Sequence, residues 1–389
     1  MSPKVLNIGF IGGGINSAIG TTHKIASQMD NKFRLISGSF SRNKDINLKT
    51  INKWLISSYY TNYIDFLDSE KENLDAVVIL TPTDSHTQII LNTLNRNLPI
   101  ICEKTLTNSL DDAFSIRERL KHNNGFLLTT YNYTGYPMIR ELENMITKGR
   151  LGDIIQINIQ MPQESFIRLD KDGNISRPQA WRLKDTNIST LSLDLGTHLS
   201  NMVSFLTKEK PQEVIAMQNQ FGHHSVIDNL ICMIKYTNNI DCQMWYSKSA
   251  LGHKNGLKVE VYGDKGSASW YQMNPEFLEY NDNVGRNIIL DRSSKEIEIA
   301  NQDRYNRFKS GHPAGFIEAF ANLYTDIFQK LEQYKKDNNH HIDWTYDALQ
   351  ATVGLEVFEA IQQSYDEHKW IHIKQNNYIS QDLIPKRVT

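Results

Sequence analysis

Lys104, Asp194 and His198 are residues whose types and spacing could move a proton. Asp194 and His198 stand four apart in LSLDLGTHLS, around Gly196. An imidazole, with an unperturbed pKa of about 6.5, can take a proton from a hydroxyl near working pH. A lysine ammonium beside that oxygen stabilises developing alkoxide charge. On a helix, positions i and i+4 share a face. Asp194 could therefore hold a substrate hydroxyl beside the atom that His198 deprotonates, or it could orient the imidazole itself. Gly196 falls on the far side of such a helix or at its start, where it permits close packing. Taken alone, the pair reads as a surface i,i+4 contact and Lys104 as a solvated lysine at a strand end.

The elements that must position these residues alternate along the first third of the chain. Apolar runs at 5–11, 33–40, 75–80, 98–102 and 126–129 read as buried parallel strands. Segments of helical period lie near 17–29, 84–96 and 109–121, the last with Asn108 as its N-cap. This rhythm predicts an α/β fold beginning with a Rossmann-type, doubly wound domain over 1–130. Its first turn carries Gly12-x-Gly14-x-x-Ser17 straight after a strand, where a dinucleotide fingerprint belongs. Gly12 would make the tight turn. Gly14, with Ile15 and Asn16, would bring the backbone against a pyrophosphate, and Ser17 stands where a third glycine governs helix–strand contact. At the end of the second strand Ser41-Arg42 precedes the first carboxylate, Asp45, a composition that leans to NADP over NAD.

The 389 residues suit two domains, and 40% hydrophobic with 22% charged content suits a soluble globular protein. A net charge of −2, with both signs interspersed, makes no case for nucleic acid or a membrane surface. No apolar stretch approaches the ~18–20 residues of a membrane helix. Cys102, Cys232 and Cys242 lack metal or disulfide-framework spacing, and no signal peptide is read at the start, so the expected compartment is the cytoplasm. From about 151 the pattern turns β-rich, at 153–161, 212–220, 226–237, 240–248, 256–263 and 266–272. Asn238-Asn239 and Gly263-Asp264-Lys265-Gly266 supply turns. An α+β domain with a large, mostly antiparallel open sheet is expected over 131–389. Helices near 192–206, 313–334 and 343–365 would cover one face or return to the first domain. His223-His224 and His340-His341 lack partners at metal spacing and read as solvated, so no metal is expected.

Three signatures follow the glycine turn: Thr81-Pro82-Thr83-Asp84-Ser85-His86, Cys102-Glu103-Lys104-Thr105, and Asp194-x-x-x-His198. With the stretches 131–154, 256–270 and 311–324, this order resembles the Gfo/Idh/MocA oxidoreductase family over nearly the whole chain, and within it a sugar and polyol dehydrogenase subgroup. The resemblance implies nicotinamide-dependent oxidation of a secondary alcohol. His198 would take the hydroxyl proton, with Lys104 and Asp194 assisting. Thr81, Pro82, His86, Glu103 and Lys104 would line the cofactor. Tyr131, Tyr133, Gln163, Trp181, Arg182 and His312 would face the substrate, a sugar, sugar derivative or cyclic polyol. Thr105 replaces the family's proline and Thr83 its asparagine. Tyr131, Tyr133 and Trp181 are equally ordinary core-rim residues, and His312 could cap the following helix. A homo-oligomer, dimer or tetramer, is implied through the open sheet face. Two other outcomes would use the same fold: a catalytically silent dinucleotide sensor, and a glycoside-cleaving enzyme that cycles bound NAD. Retention of Lys104, Asp194 and His198 argues against the sensor.

Overall fold

The computed structural model describes residues 4–337 and 344–375. The first elements are β1 (Leu6–Gly12), α1 (Ala18–Met29), β2 (Phe33–Ser39), α2 (Lys44–Trp54), β3 (Ser58–Tyr59), α3 (Tyr63–Glu70), β4 (Ala76–Leu80), α4 (His86–Leu94), β5 (Ile100–Glu103), α5 (Leu110–Asn123) and β6 (Leu127–Thr130). There follow α6 (Pro137–Thr147), β7 (Ile154–Pro162), α7 (Thr197–Thr207), β8 (Pro211–Asn219), β9 (Asn229–Tyr236), β10 (Ile240–Ser247), β11 (Lys258–Gly263) and β12 (Gly266–Tyr271). Last come β13 (Leu278–Asp282), β14 (Asn287–Leu290), α8 (Phe316–Asp337), α9 (Ala348–Glu367) and β15 (Ile371–His372). Of the described residues, one compact unit takes those up to Gly135 together with those of Gly315–Thr352; a second takes Tyr136–Ala314 and those from Val353 on. His340 and His341 lie outside the described residues.

The first unit is a parallel sheet in the order β3-β2-β1-β4-β5-β6. The central strand β4, AVVIL, is apolar and buried throughout because both faces are covered. Ile8, Phe10 and Val78 pack with Ala26 of α1 and with Phe320, Leu323, Tyr324 and Ile327 of α8. Val77, Ile79 and Ile100 pack on the opposite face with Ile89 and Ile90 of α4 and Ile116 of α5. Each of the Val, Leu, Ile and Phe side chains contributes about 1.5–3 kcal/mol on burial.

Several local expectations need correcting. Ser17 is the N-cap of α1, its hydroxyl accepting from the Gly20 amide at 3.2 Å. The close helix–strand contact belongs to Gly20, where a Cβ would lie 1.8 Å from the Gly13 carbonyl oxygen. Ser109, accepting from the Asp112 amide, caps α5 in place of Asn108. The polar α2 is held by its caps, Asn43 accepting from the Asp45 and Ile46 amides, which a search for apolar runs passes over.

The second unit carries a sheet in the order β14-β13-β12-β11-β7-β10-β9-β8-β15. Its pairings are antiparallel except that of β7 with β10. Asn238 and Asn239, both with positive φ, close the β9–β10 hairpin. Ile157, Ile159, Cys232, Ile234, Met244 and Tyr246 are buried, as are Met138 and Leu142 of α6, Leu199 and Met202 of α7, and Leu355 and Phe358 of α9. Met217, Ile231 and Met233, on the opposite face of the strands, are exposed. Helix α6 was not foreseen because its polar residues are buried with partners. Arg140 donates to the Tyr305 hydroxyl, and Glu141 accepts from the amides of Glu298, Ile299 and Ala300.

Gly20→Ala should drive α1 off the β1 turn. A loss of about 1–3 kcal/mol in urea unfolding is expected, together with weakened dinucleotide binding.

Candidate active site

The parallel strands of the first unit end on one edge, so the loops after β1, β2, β4, β5 and β6 gather there. Gly12 and Gly13 have φ of 80° and 69°. A Cβ on Gly12 would sit 2.8 Å from Thr81 Cγ2, and one on Gly13 2.5 Å from Leu80 Cδ1. Both positions are thus open only to glycine, and the start of α1 follows. This bare backbone at a helix N-terminus fits a pyrophosphate. The Ile15 amide is committed to Thr50 Oγ1 at 3.0 Å, whereas Asn16 is exposed on the turn.

After β2, the buried side chain of Asn47 ties the turn, accepting from the Ser41 amide at 3.0 Å and donating to its carbonyl at 2.6 Å. Arg42 stands exposed beside it. After β4, Ser85 Oγ donates to Thr81 Oγ1 at 2.8 Å, and Pro82 precedes a 3₁₀ turn, Thr83–Ser85. His86 has no exposed surface. Its Nε2 lies 2.8 Å from the Thr81 carbonyl, and its Nδ1 lies 3.0 Å from that of Thr105 and 3.2 Å from that of Leu106. Burial holds its pKa below the ordinary histidine value, against the pull of those carbonyls and of Glu103. His86 is a strut between the loops after β4 and β5.

The loop after β5 begins with Glu103 and half-buried Lys104, whose peptide bond to Thr105 is cis. Glu103 Oε1 meets His23 Nε2 at 3.1 Å and accepts from Thr130 Oγ1; His23 Nδ1 lies 2.7 Å from the Tyr324 hydroxyl. Burial raises the Glu103 pKa, but His23, Lys104 and Thr130 together hold it below the usual value. After β6, Tyr131 and Tyr133 prove to be buried rings, edge-on to Tyr346 and Phe316 with centroids 5.4 Å and 6.0 Å apart. Between them the buried Asn132 leaves its side-chain nitrogen without a hydrogen-bond partner among the described residues.

In the second unit Asp194 and His198 are 7% and 6% exposed. They do not share regular α-helical spacing: Ser192–Gly196 is a single π-turn leading into α7. Gly196 lets that turn meet β10, since a Cβ there would fall 2.8 Å from Tyr246 Cζ, and Ser192 Oγ lies 2.9 Å from the Tyr246 hydroxyl. Asp194 Oδ2 accepts from Arg182 Nε at 3.0 Å and from Lys248 Nζ at 2.6 Å. The Arg182 guanidinium lies 4.4 Å from the Trp181 ring centroid, and both side chains donate to Gln179 Oε1. Gln163 donates to Asn255 Oδ1 at 2.9 Å.

His312 stands four residues before α8. It is exposed, its ring edge-on to Phe308 and its carbonyl accepting from Arg292. It does not cap α8, where the Gly315 amide donates to Glu318. Of the other histidines, His223 is exposed, but His224 is half-buried with its ring edge-on to Phe166, so only the first is solvated. Among the described residues no group of three or more His, Cys, Asp or Glu could hold a metal ion, and no helix is long and apolar enough to cross a membrane.

Lys248, only 2% exposed, was missed in the sequence. The available signal was its position as first residue past β10, next to Gln163, the first past its parallel neighbour β7; Ser247 pairs with Pro162.

A glycine turn feeding α1 and a buried Asp–His helix on a mixed sheet are the parts of a nicotinamide-dependent oxidoreductase. Residues 6–131 match the model of an oxidoreductase family with an NAD-binding Rossmann fold, and residues 139–269 match the GFO/IDH/MocA C-terminal domain. The chain belongs to the Gfo/Idh/MocA family of NAD-binding oxidoreductases. The uncharacterized oxidoreductase YfiI of Bacillus subtilis is 28% identical over 95% of this chain and 98% of its own. Levoglucosan dehydrogenase of Pseudarthrobacter phenanthrenivorans is 21% identical over 67% of this chain and 72% of its own. An inositol dehydrogenase homolog from Azotobacter vinelandii, solved with NADH and myo-inositol, shares the fold. Its TM-score is 0.85 at 23% identity, covering 95% of this chain and 98% of that one.

Because the Glu103 pKa is depressed, its contribution to stability is complete above the ordinary glutamate value of about 4.3 and is lost as pH falls through the lower folded-state value. Glu103→Gln should therefore cost about 1–3 kcal/mol at neutral pH. The urea midpoints of variant and wild type should converge as the medium is taken below about pH 4.

Proposed function

We propose that this enzyme is an NAD(P)-dependent dehydrogenase of a secondary hydroxyl on a sugar, sugar derivative or cyclic polyol. The observation that carries this reading is the buried Asp194–His198 helix start, in a family chain that also keeps Lys104 past β5. Relatives named for levoglucosan, or solved with myo-inositol, support a ring-shaped polyhydroxy substrate.

The nicotinamide, when bound, supplies the hydride acceptor. His198 takes the proton from the reacting hydroxyl as the carbon gives up its hydrogen with the bonding pair, leaving a carbonyl. Lys104 places an ammonium beside that oxygen while it carries alkoxide charge. Asp194 receives a neighbouring substrate hydroxyl and so sets the ring's orientation. Gln163, Trp181 and Arg182 contact the remaining hydroxyls, the indole face meeting sugar C–H groups. His86 positions the loops that carry Thr81 and Lys104. Gly12, Gly14 and the start of α1 hold the pyrophosphate. Arg42, exposed at the end of β2 with no carboxylate before Asp45, favours a 2′-phosphate and hence NADP. The exposed sheet face with Met217, Ile231 and Met233 joins copies of the chain into a homo-oligomer.

Purified protein with NAD or NADP should generate nicotinamide absorbance with at least one member of a panel of hexoses, anhydrosugars and inositols. Silence across the panel despite cofactor binding would favour a dinucleotide sensor instead. His198→Asn should lower kcat by about 10²–10⁴-fold with cofactor affinity retained. Arg42→Ala should raise KM for NADP about tenfold and leave that for NAD unchanged.

A further inference from the structure

We infer that Lys248 is a positioning residue for the reaction, fixing the Asp194 carboxylate; this rests on the function proposed above. Lys248 is held at both ends. Its amide donates to the Asp228 carbonyl at 2.7 Å, and its own carbonyl accepts from the Phe166 amide at 2.8 Å. Its ammonium meets Asp194 Oδ2 at 2.6 Å and lies 4.9 Å from the Phe166 ring centroid.

Arg182 already pairs with Asp194, so charge compensation alone does not call for a second cation. The two donors come from separate segments, the 3₁₀ turn Ala180–Leu183 and the end of β10, and both converge on the same oxygen. With Oδ2 held from two directions, rotation of the carboxylate about its Cβ–Cγ bond is stopped, and Oδ1 is thereby aimed as well. The two neighbouring carboxylates are otherwise occupied: Asp228 accepts from the Phe221 and Gly222 amides, and Asp185 from those of Thr190 and Ile227. The buried Lys248 stem is confined by its surroundings, so the ammonium is a rigid support.

The test compares Lys248→Met, Lys248→Arg and Asp194→Asn by steady-state kinetics, cofactor titration and ¹³C-carboxyl spectra of aspartate-labelled protein. The Asp194 resonance is identified by its loss in Asp194→Asn. Lys248→Met should cut kcat about 10–100-fold with cofactor affinity unchanged and should move the Asp194 resonance. Lys248→Arg should recover most of both. In an Asp194→Asn background, removing Lys248 should cost little further activity, and this double variant also relieves any misfolding from an ill-paired carboxylate. An unmoved resonance in Lys248→Met, or a kcat within about twofold of wild type, would overturn the assignment. If the wild type turns over nothing, the functional reading fails by itself, while the spectra still decide whether Lys248 sets Asp194.

Discussion

A carboxylate withdrawn from water must be met by donors of opposite charge, and in the second unit this requirement organises four segments at once. Asp194 draws Arg182 from a short 3₁₀ turn and Lys248 from the end of β10. Lys248 in turn lies against Phe166, just beyond β7. The π-turn that carries Asp194 exists where Gly196 and Ser192 press onto Tyr246. Removing Lys248 or Arg182 leaves the carboxylate with one of these two cations, held from a single direction.

The two sheets solve the same positioning problem by one device. In the first unit all strands run parallel, so their carboxyl ends deliver the glycine turn, Arg42, Thr81 and Lys104 to one edge. In the second unit antiparallel pairing would scatter such ends. Among the described residues the one parallel pair, β7 with β10, brings Gln163 and Lys248 out side by side. Parallel neighbours need a long crossover, and here the segment between them supplies Trp181, Arg182, Asp194 and His198.

The alternation of apolar runs made the first sheet legible, and the glycine turn, Lys104, Asp194 and His198 could be picked out by type and order. What escaped did so for physical reasons. Helix α2 is held by capping, and α6 buries charged residues that periodicity counts as polar surface. Strands β13 and β14 are short, with few buried positions. Lys248 looked like any lysine because its value lies in a contact with a residue 54 positions away. Tyr131 and Tyr133, picked out by their place after β6, are buried rings, a burial that their position in the sequence did not disclose.

Helix α8 brings a consequence for how the protein is made. Phe320, Leu323, Tyr324 and Ile327 belong to the same apolar cluster as Ile8, Phe10 and Phe33. They leave the ribosome roughly 180 residues after Gly135, about 10–40 s later at ordinary rates of synthesis. Until then the face of the sheet that α1 shares with α8 is only partly covered. The nucleotide-binding unit is therefore not a module that can be cut out at residue 135, and the time before α8 arrives is when a chaperone would find most to hold.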